Sequence, residues 1–351
     1  MTSTRRHVWL LVVLLVAAQS ISVSAKRKDD HLIMANGDHV VGEIKKLEHG
    51  QLYFKSEYML NSMQVDWTQV RELRSHDAYQ VLLSNGQHPT GTIDRAADGT
   101  FTISRSGSTM VSTVFTEVIA MLPVESDFWA QLTGNINSGF SYTSGNSQTQ
   151  FTASGEVAYV MSRYIFHLSG SSTFSGQSDG TNTNRNNINL TNQFTIKPKL
   201  FAVVLGDLLN SDQQELDLRT TLGGGLGRQL VQTERTSLAF FAGVVYTNER
   251  YSTPPDPNEP GSQNTNNIES VLGLQFAMFR FKTTDISSTL SVYPSFTTPG
   301  RVRLNFTPTL NLEIARNLYW NFTLYENYDS QPPVNANKND FGVTNSIGWK
   351  F

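Results

Sequence analysis

Cysteine is absent from the 351 residues. That excludes disulfides, thiolate metal sites, cysteine nucleophiles and a lipid anchor of the bacterial lipoprotein kind. Charge is scarce too: Asp, Glu, Lys and Arg make up 16% of the chain and sum to −3, so no basic footprint for nucleic acid exists. Long apolar runs are missing after the first residues. Val8 to Ala18 is apolar but spans only about half of the roughly 20 residues a membrane helix needs. With Arg5 and Arg6 before it and Val23-Ser24-Ala25 behind it, this stretch reads as an export signal over residues 1–25, cleaved after Ala25. Any membrane crossing by the rest of the chain falls to strands. What is plentiful is uncharged polarity from Asn, Ser, Thr, Gln and Gly, which suits a strand-rich wall better than a helical enzyme.

Residues 26–122 read as a small periplasmic β domain containing an internal repeat, with copies over about 31–74 and 80–122. Shifted by 49 positions, Asn36-Gly37 falls on Asn85-Gly86, Gly42 on Gly91, Ile44 on Ile93 and Gly50 on Gly99. Shifted by 48, Trp67 falls on Phe115, Val70 on Val118 and Leu73 on Met121. Each copy predicts a hairpin meander turning at Asn-Gly. Neither copy has much apolar surface to bury alone, so the two are expected to pack into one domain or as paired small barrels, in an SH3-like small-barrel style. His31, His39 and His49 with Asp29, Asp30 and Asp38 form no spacing that repeats in the second copy, so they read as turn and strand residues, with no metal and no cofactor expected.

After a linker at 123–127 the texture changes. From residue 128 to 351, segments of about ten residues alternate apolar and polar between Gly, Asn, Ser and Pro, the pattern of an antiparallel transmembrane β-barrel. In the first strand Leu132, Ile136, Phe140 and Tyr142 oppose Thr133, Asn135, Asn137 and Ser141. In the tenth, Val302, Leu304, Phe306, Leu310, Leu312 and Ile314 oppose Arg301, Arg303, Asn305, Thr307, Thr309, Asn311 and Glu313. Twelve strands are expected. The fifth (Leu200 to Leu209) and seventh (Ser237 to Tyr251) are apolar on both faces, so the pattern leaves their phase open. Short turns follow strands 2, 4, 8 and 10. Long polar connections, Ser175 to Asn186, Ser252 to Asn267 and Asp329 to Asn339, follow strands 3, 7 and 11. The turn after strand 6, Gly227 to Thr236, is longer than the alternation asks. The chain ends on Phe351 with Ile347 and Trp349 on the same face, resembling the signal read by the outer-membrane assembly machinery, and Tyr142, Tyr164, Trp320 and Trp349 suit interfacial girdles.

The opening Phe128-Trp129, the turn Thr143-Ser144-Gly145-Asn146, the run Leu222-Gly223-Gly224-Gly225-Leu226-Gly227 and the closing Ile347-Gly348-Trp349-Lys350-Phe351 resemble the YdiY-like salt-induced outer-membrane protein family, a domain of unknown function, over about 128–351. The resemblance implies an outer-membrane barrel and brings no catalytic residues with it.

His167-Leu168-Ser169 is similar to the His-x-Ser pair of outer-membrane phospholipase, but the alternation turns both side chains inward and Gly170-Ser171 stands where Asn-Gly should follow. The glycine run lacks the Lys-Ser/Thr ending of a phosphate loop and reads as a bent strand. Glu156, Glu215, Asp217, Glu269 and Glu313, with Arg219, Arg301, Arg303 and Lys350, are expected to face the lumen, where mixed charges form a paired plug or a weakly selective lining. The expected function is therefore a non-enzymatic outer-membrane barrel, a narrow pore or structural component, with a periplasmic docking or spacer domain. Its partners would be outer-membrane lipid, the assembly machinery and a periplasmic protein or the cell wall. The alternative is a lipid- or glycan-acting hydrolase using His167 and Ser169.

Overall fold

The computed structural model describes residues 29–124, 131–143, 148–161, 163–176, 182–252, 263–280, 284–315, 317–333 and 336–350. The export signal, Phe128-Trp129, Ser144-Gly145-Asn146, most of the polar connection after strand 7, Phe351 and the side chain of Tyr142 lie outside the described residues.

The N-terminal domain is built from β1 (Asp30–Met34), β2 (His39–Glu48), β3 (Gln51–Lys55), β4 (Met63–Asp66), a 3-10 turn (Trp67–Gln69) and β5 (Val70–Arg74). These are followed by β6 (Tyr79–Leu83), β7 (Thr90–Arg95), β8 (Thr100–Arg105), β9 (Ser108–Val114), a 3-10 turn (Phe115–Glu117) and β10 (Val118–Pro123). Alternation drives these strands: in β3 Leu52 and Phe54 are buried while Gln51, Tyr53 and Lys55 are less so. Six strands close a ring in the order β1-β5-β7-β6-β10-β2, with β2 pairing back to β1. The β3–β4 hairpin extends from β2, and β8–β9 extends from β7. Thus β5 pairs with a strand of the second half and β10 with one of the first.

One apolar core, including Leu32, Ile44, Phe54, Trp67, Ile93 and Phe101, runs through both halves. Trp67 binds them: its indole Nε1 donates to the Phe115 carbonyl at 3.1 Å, and its own carbonyl accepts from Arg95 Nη1 at 3.1 Å. The fully buried Asp30 is the other anchor. Its carboxylate accepts from the amides of Ile44 (2.8 Å) and His76 (2.7 Å) and lies 3.0 Å from the Tyr79 hydroxyl. Burial, and then the Asp30 charge, raise the pKa of Tyr79, which stays a donor.

The second domain is a closed barrel of β11 (Leu132–Thr143), β12 (Gln148–Met161), β13 (Tyr164–Gly176), β14 (Asn182–Lys197), β15 (Leu200–Ser211), β16 (Leu216–Gln232), β17 (Thr236–Tyr251), β18 (Asn264–Arg280), β19 (Thr284–Pro294), β20 (Val302–Ala315), β21 (Leu318–Asp329) and β22 (Asn339–Lys350). Every neighbouring pair is antiparallel, and β11 closes on β22 with Ile136 opposite Trp349. No helix among the described residues is long and apolar enough to cross a membrane. The outer face is apolar instead: Ile136, Phe151, Leu168, Val204, Leu222, Val244, Leu272, Phe322, Val343 and Ile347 are all exposed on it.

Two boundaries differ from expectation. Strand six does not end near Leu226: β16 continues to Gln232 and turns at 233–235, so its connection is as short as the other turns at that end. Gly227, where the sequence suggests that the turn begins, is instead a strand position facing the Phe201 ring. Asn182 to Asn186 is strand rather than loop, because its side chains bond across the ladder. Asn186 accepts from Ser172 Oγ at 2.7 Å and donates to Asn210 at 3.0 Å.

Replacing Asp30 with alanine leaves the amides of Ile44 and His76 without their acceptor, while the Tyr79 hydroxyl keeps the Ile44 carbonyl at 2.8 Å. About 3 kcal/mol of the small domain's stability should be lost. Hydrogen exchange at the Ile44 and His76 amides should accelerate while the barrel's heat-shifted gel mobility stays as in the parent.

Candidate functional site: the barrel interior

The interior has three textures, and the parity of each strand decides which residues meet there. Towards the long connections the inward side chains are charged. Arg301, just ahead of β20, reaches across the lumen to Glu249 on β17, with Nη1 to Oε2 at 2.7 Å and Nη2 to Oε1 at 2.9 Å. The same guanidinium grips Asp329 at the end of β21 through Nε at 3.0 Å. Arg219 on β16 completes the cluster, with Nε 2.6 Å from Glu249 Oε1 and Nη2 3.5 Å from Asp329. One level further in, Arg303 pairs with Glu269 and donates to Thr247 at 3.1 Å. A third group spans the remaining width: Arg185 on β14 and Ser211 on β15 both bind Asp340 on β22, at 3.1 and 3.0 Å. Glu249 and Glu269 are 0% exposed and none of Arg219, Arg301 and Arg303 exceeds 5%, so solvent barely reaches the ion pairs among them.

Below it, the wall formed by β15, β17 and β18 is apolar inside: Phe201, Val203, Ala239, Phe241, Val245 and Val271 pack as one cluster. The glycine run of β16 makes this possible. A Cβ on Gly227 would overlap the Phe201 ring, and one on Gly273 of β18 would overlap Phe241. The opposite wall keeps a cavity of about 270 Å³ lined by neutral polar groups, among them Asn137, Ser154, Asn189, Thr309 and Asn321. Glu156 and Arg185 are the charged members of its lining.

The short-turn mouth faces the N-terminal domain. His49, in a left-handed turn between β2 and β3, stacks on Phe279 with ring centroids 3.5 Å apart. Asp66 lies 3.3 Å from Arg235 in the β16–β17 turn. Lys350, Glu313 and Asp285 lie at this mouth within electrostatic reach of Glu48 or Tyr53.

Of the residues expected inside, Glu156, Arg219, Glu269, Arg301 and Arg303 face the interior, and Glu313 and Lys350 stand at its short-turn mouth. Glu215 and Asp217 do not line the lumen. Glu215 occupies a left-handed turn (φ 50°) after a 3-10 segment. Asp217 lies in the bulge between Leu216 and Leu218, which shifts the phase and leaves it exposed beside Arg250 and Ser252. His167 and Ser169 both point inward, but His167 Nε2 lies 3.2 Å from Glu156, and no hydrogen bond joins the histidine to Ser169 among the described residues. His31 and His39 lie 3.1 Å apart at the exposed surface of the small domain. Trp349 and Ile347 face outward, 53% and 58% exposed.

Sequence reasoning missed Glu249, Asp329, Asp340 and Arg185. Parity could have supplied one of them, since Asp340 shares its phase with Lys350.

This architecture defines a closed twelve-stranded antiparallel β-barrel with an ion-paired, partly apolar interior. The chain belongs to the family described as a protein of unknown function, DUF481, which it matches over residues 136–351, in keeping with the YdiY-like resemblance. No curated protein matches it. Among solved structures it is similar to the translocator domain of the autotransporter NalP from Neisseria meningitidis (12% identity, 63% of this chain, 87% of that one, TM-score 0.33). It is also similar to the β domain of the Bordetella autotransporter BrkA (10% identity, 63% and 98%, TM-score 0.31) and to a porin (9% identity, 63% and 99%, TM-score 0.29).

Glu249→Gln strips Arg219 and Arg301 of a shared counter-ion in a buried site. Breaking such a cluster costs about 3–5 kcal/mol, and the heat-induced mobility shift should move to a clearly lower temperature. At the other mouth, burial pushes the pKa of His49 down to about 4; Glu48 opposes this, while Lys350 and Lys46 add to it. The released ring takes up a proton near 6.5 and the docked ring only near 4, so docking is fully favoured above 6.5 and weakens as pH falls through that window. Exchange at residues 48–50 and 233–235, corrected for intrinsic rates, should rise from pH 7 to pH ~5 in the parent and not in His49→Gln.

Proposed function

We propose that this chain is a non-enzymatic outer-membrane β-barrel protein whose lumen is closed at rest, acting as a structural component that holds a small domain on the periplasmic side. Spanning is supported by the outward apolar side chains on a ring whose backbone groups pair all the way round, the one strand arrangement that hydrocarbon tolerates. The orientation rests on the connections: the short turns that characterise periplasmic ends lie on the side occupied by the N-terminal domain. That domain reads as a duplicated unit, supported by its twofold order of four strands, a 3-10 turn and a fifth strand, and by the reciprocal pairing of β5 with β7 and β10 with β2. It suits docking or spacing, and the outward Trp349 and Ile347 suit recognition by the assembly machinery.

The observation that carries the closed-barrel reading is Arg301, buried and held at once by Glu249 and Asp329, which ties β17, β20 and β21 together inside the lumen. An open pore would leave such groups hydrated. A hydrolase would need a nucleophile in reach of its base, and His167 is engaged with Glu156 instead.

Planar-bilayer recordings of the purified full chain should be silent at moderate voltage, with brief openings in a Glu249→Gln variant. Steady channels from the parent protein would replace this reading with that of a constitutive narrow pore.

A further inference from the structure

We propose that the shoulder where the N-terminal domain meets the β12–β13 and β14–β15 turns is a binding site for the headgroup of an anionic phospholipid. The inference rests on the outer-membrane reading above.

A cleft of about 380 Å³ opens there between Gly86 to Pro89 and Val111 on the small domain and Arg163 and residues 195–198 on the barrel. Arg163 and Lys197 line it, both exposed, and Lys199 borders the adjoining pocket. No carboxylate lines either space, and among the described residues none of these three cations has an ion pair. The other contact between the domains is different: Arg235 meets Asp66 and Glu234. Two cations left unpaired in one cleft keep their full attraction for an anion, and the arginine fork matches two phosphate oxygens.

The surroundings narrow the source of the phosphate. Gly86, at φ 83°, lets the small domain's loop lie against Lys199, where any Cβ would overlap the barrel backbone, so the cleft has a fixed floor. Above it the outward wall is apolar, with Ile196 50%, Met161 46% and Phe194 42% exposed. A ligand that fits both parts has an anionic head at the short-turn rim and hydrocarbon running up β12 and β14. That is an anionic phospholipid of the periplasmic leaflet, placed where juxtamembrane cations act on lipid charge. The bound head would also touch both domains, so the lipid would strengthen their contact.

The test uses folded full-length protein in mixed micelles of phosphatidylglycerol and phosphatidylcholine, with retained lipid counted by native mass spectrometry. The parent should retain phosphatidylglycerol at least about ten-fold more than phosphatidylcholine. The double variant Arg163→Gln, Lys197→Gln should lose that preference, while Lys338→Gln at the long-connection end keeps it. Exchange at residues 86–89 should slow when phosphatidylglycerol is added to the parent. Equal retention of both lipids by the parent, or an unchanged preference in the double variant, overturns the proposal. So does inorganic phosphate abolishing the preference, which would mark a free-anion site. A heat-shifted, folded barrel with no preference sinks this site alone, whereas a chain that never shows the shift in lipid sinks the barrel reading and the site with it.

Discussion

A charge inside a narrow barrel must find its partner within the wall, and the interior is organised by that requirement. Glu249 and Glu269 have no solvent contact, so an unmatched carboxylate there would bear its whole desolvation cost. Arginine meets the need in a way lysine could not: the planar fork of Arg301 engages Glu249 with two nitrogens and Asp329 with another face. Because these partners come from β17, β20 and β21, satisfying the charges also joins β17 to two strands that are not its neighbours in the ring. Chemical satisfaction and mechanical closure are the same set of bonds.

The apolar cluster beside that layer obeys a different rule. Phe201 and Phe241 turn into the lumen, which a water-filled channel would penalise, and they find room because Gly227 and Gly273 face them without a Cβ. Filling one wall with rings removes water from that half and leaves a neutral polar cavity along the other. Its Asn, Ser and Thr side chains can bond to one another, as Asn321 does with Asn311 at 2.7 Å, so these neutral groups need no counter-ions. The cross-section is divided between dispersion and hydrogen bonding rather than shared evenly.

Period-two alternation made most of this legible in the sequence. It placed the twelve strands, missing by six residues where β14 begins and β16 ends, and turned Arg219, Glu269, Arg301 and Arg303 inward, because a wall with oil outside and polar groups inside writes its phase into most strands. It failed where a strand was apolar on both faces: β15 and β17 pack rings inside the lumen, so Glu249 had no readable phase. It failed at Asp217, where an extra residue in β16 breaks the count, and at Arg185, buried in an Asn-rich run whose composition resembles a loop but whose amides pair across the ladder. In the small domain the alternation of β3 and β8 was local and readable. The exchange of β5 and β10 between the halves was not, since it depends on Trp67 and Phe115 meeting across the core.

The two ends of the barrel carry interactions of unequal strength. At the long connections the ion pairs are dry and interlocked, so salt and pH reach them poorly. At the short turns the Arg235–Asp66 pair is 36% and 16% exposed, a setting in which ion pairs contribute little, and the His49–Phe279 stack depends on an uncharged ring. Opening the first end means stranding buried charges; opening the second means parting a small contact between two domains that each keep their own core.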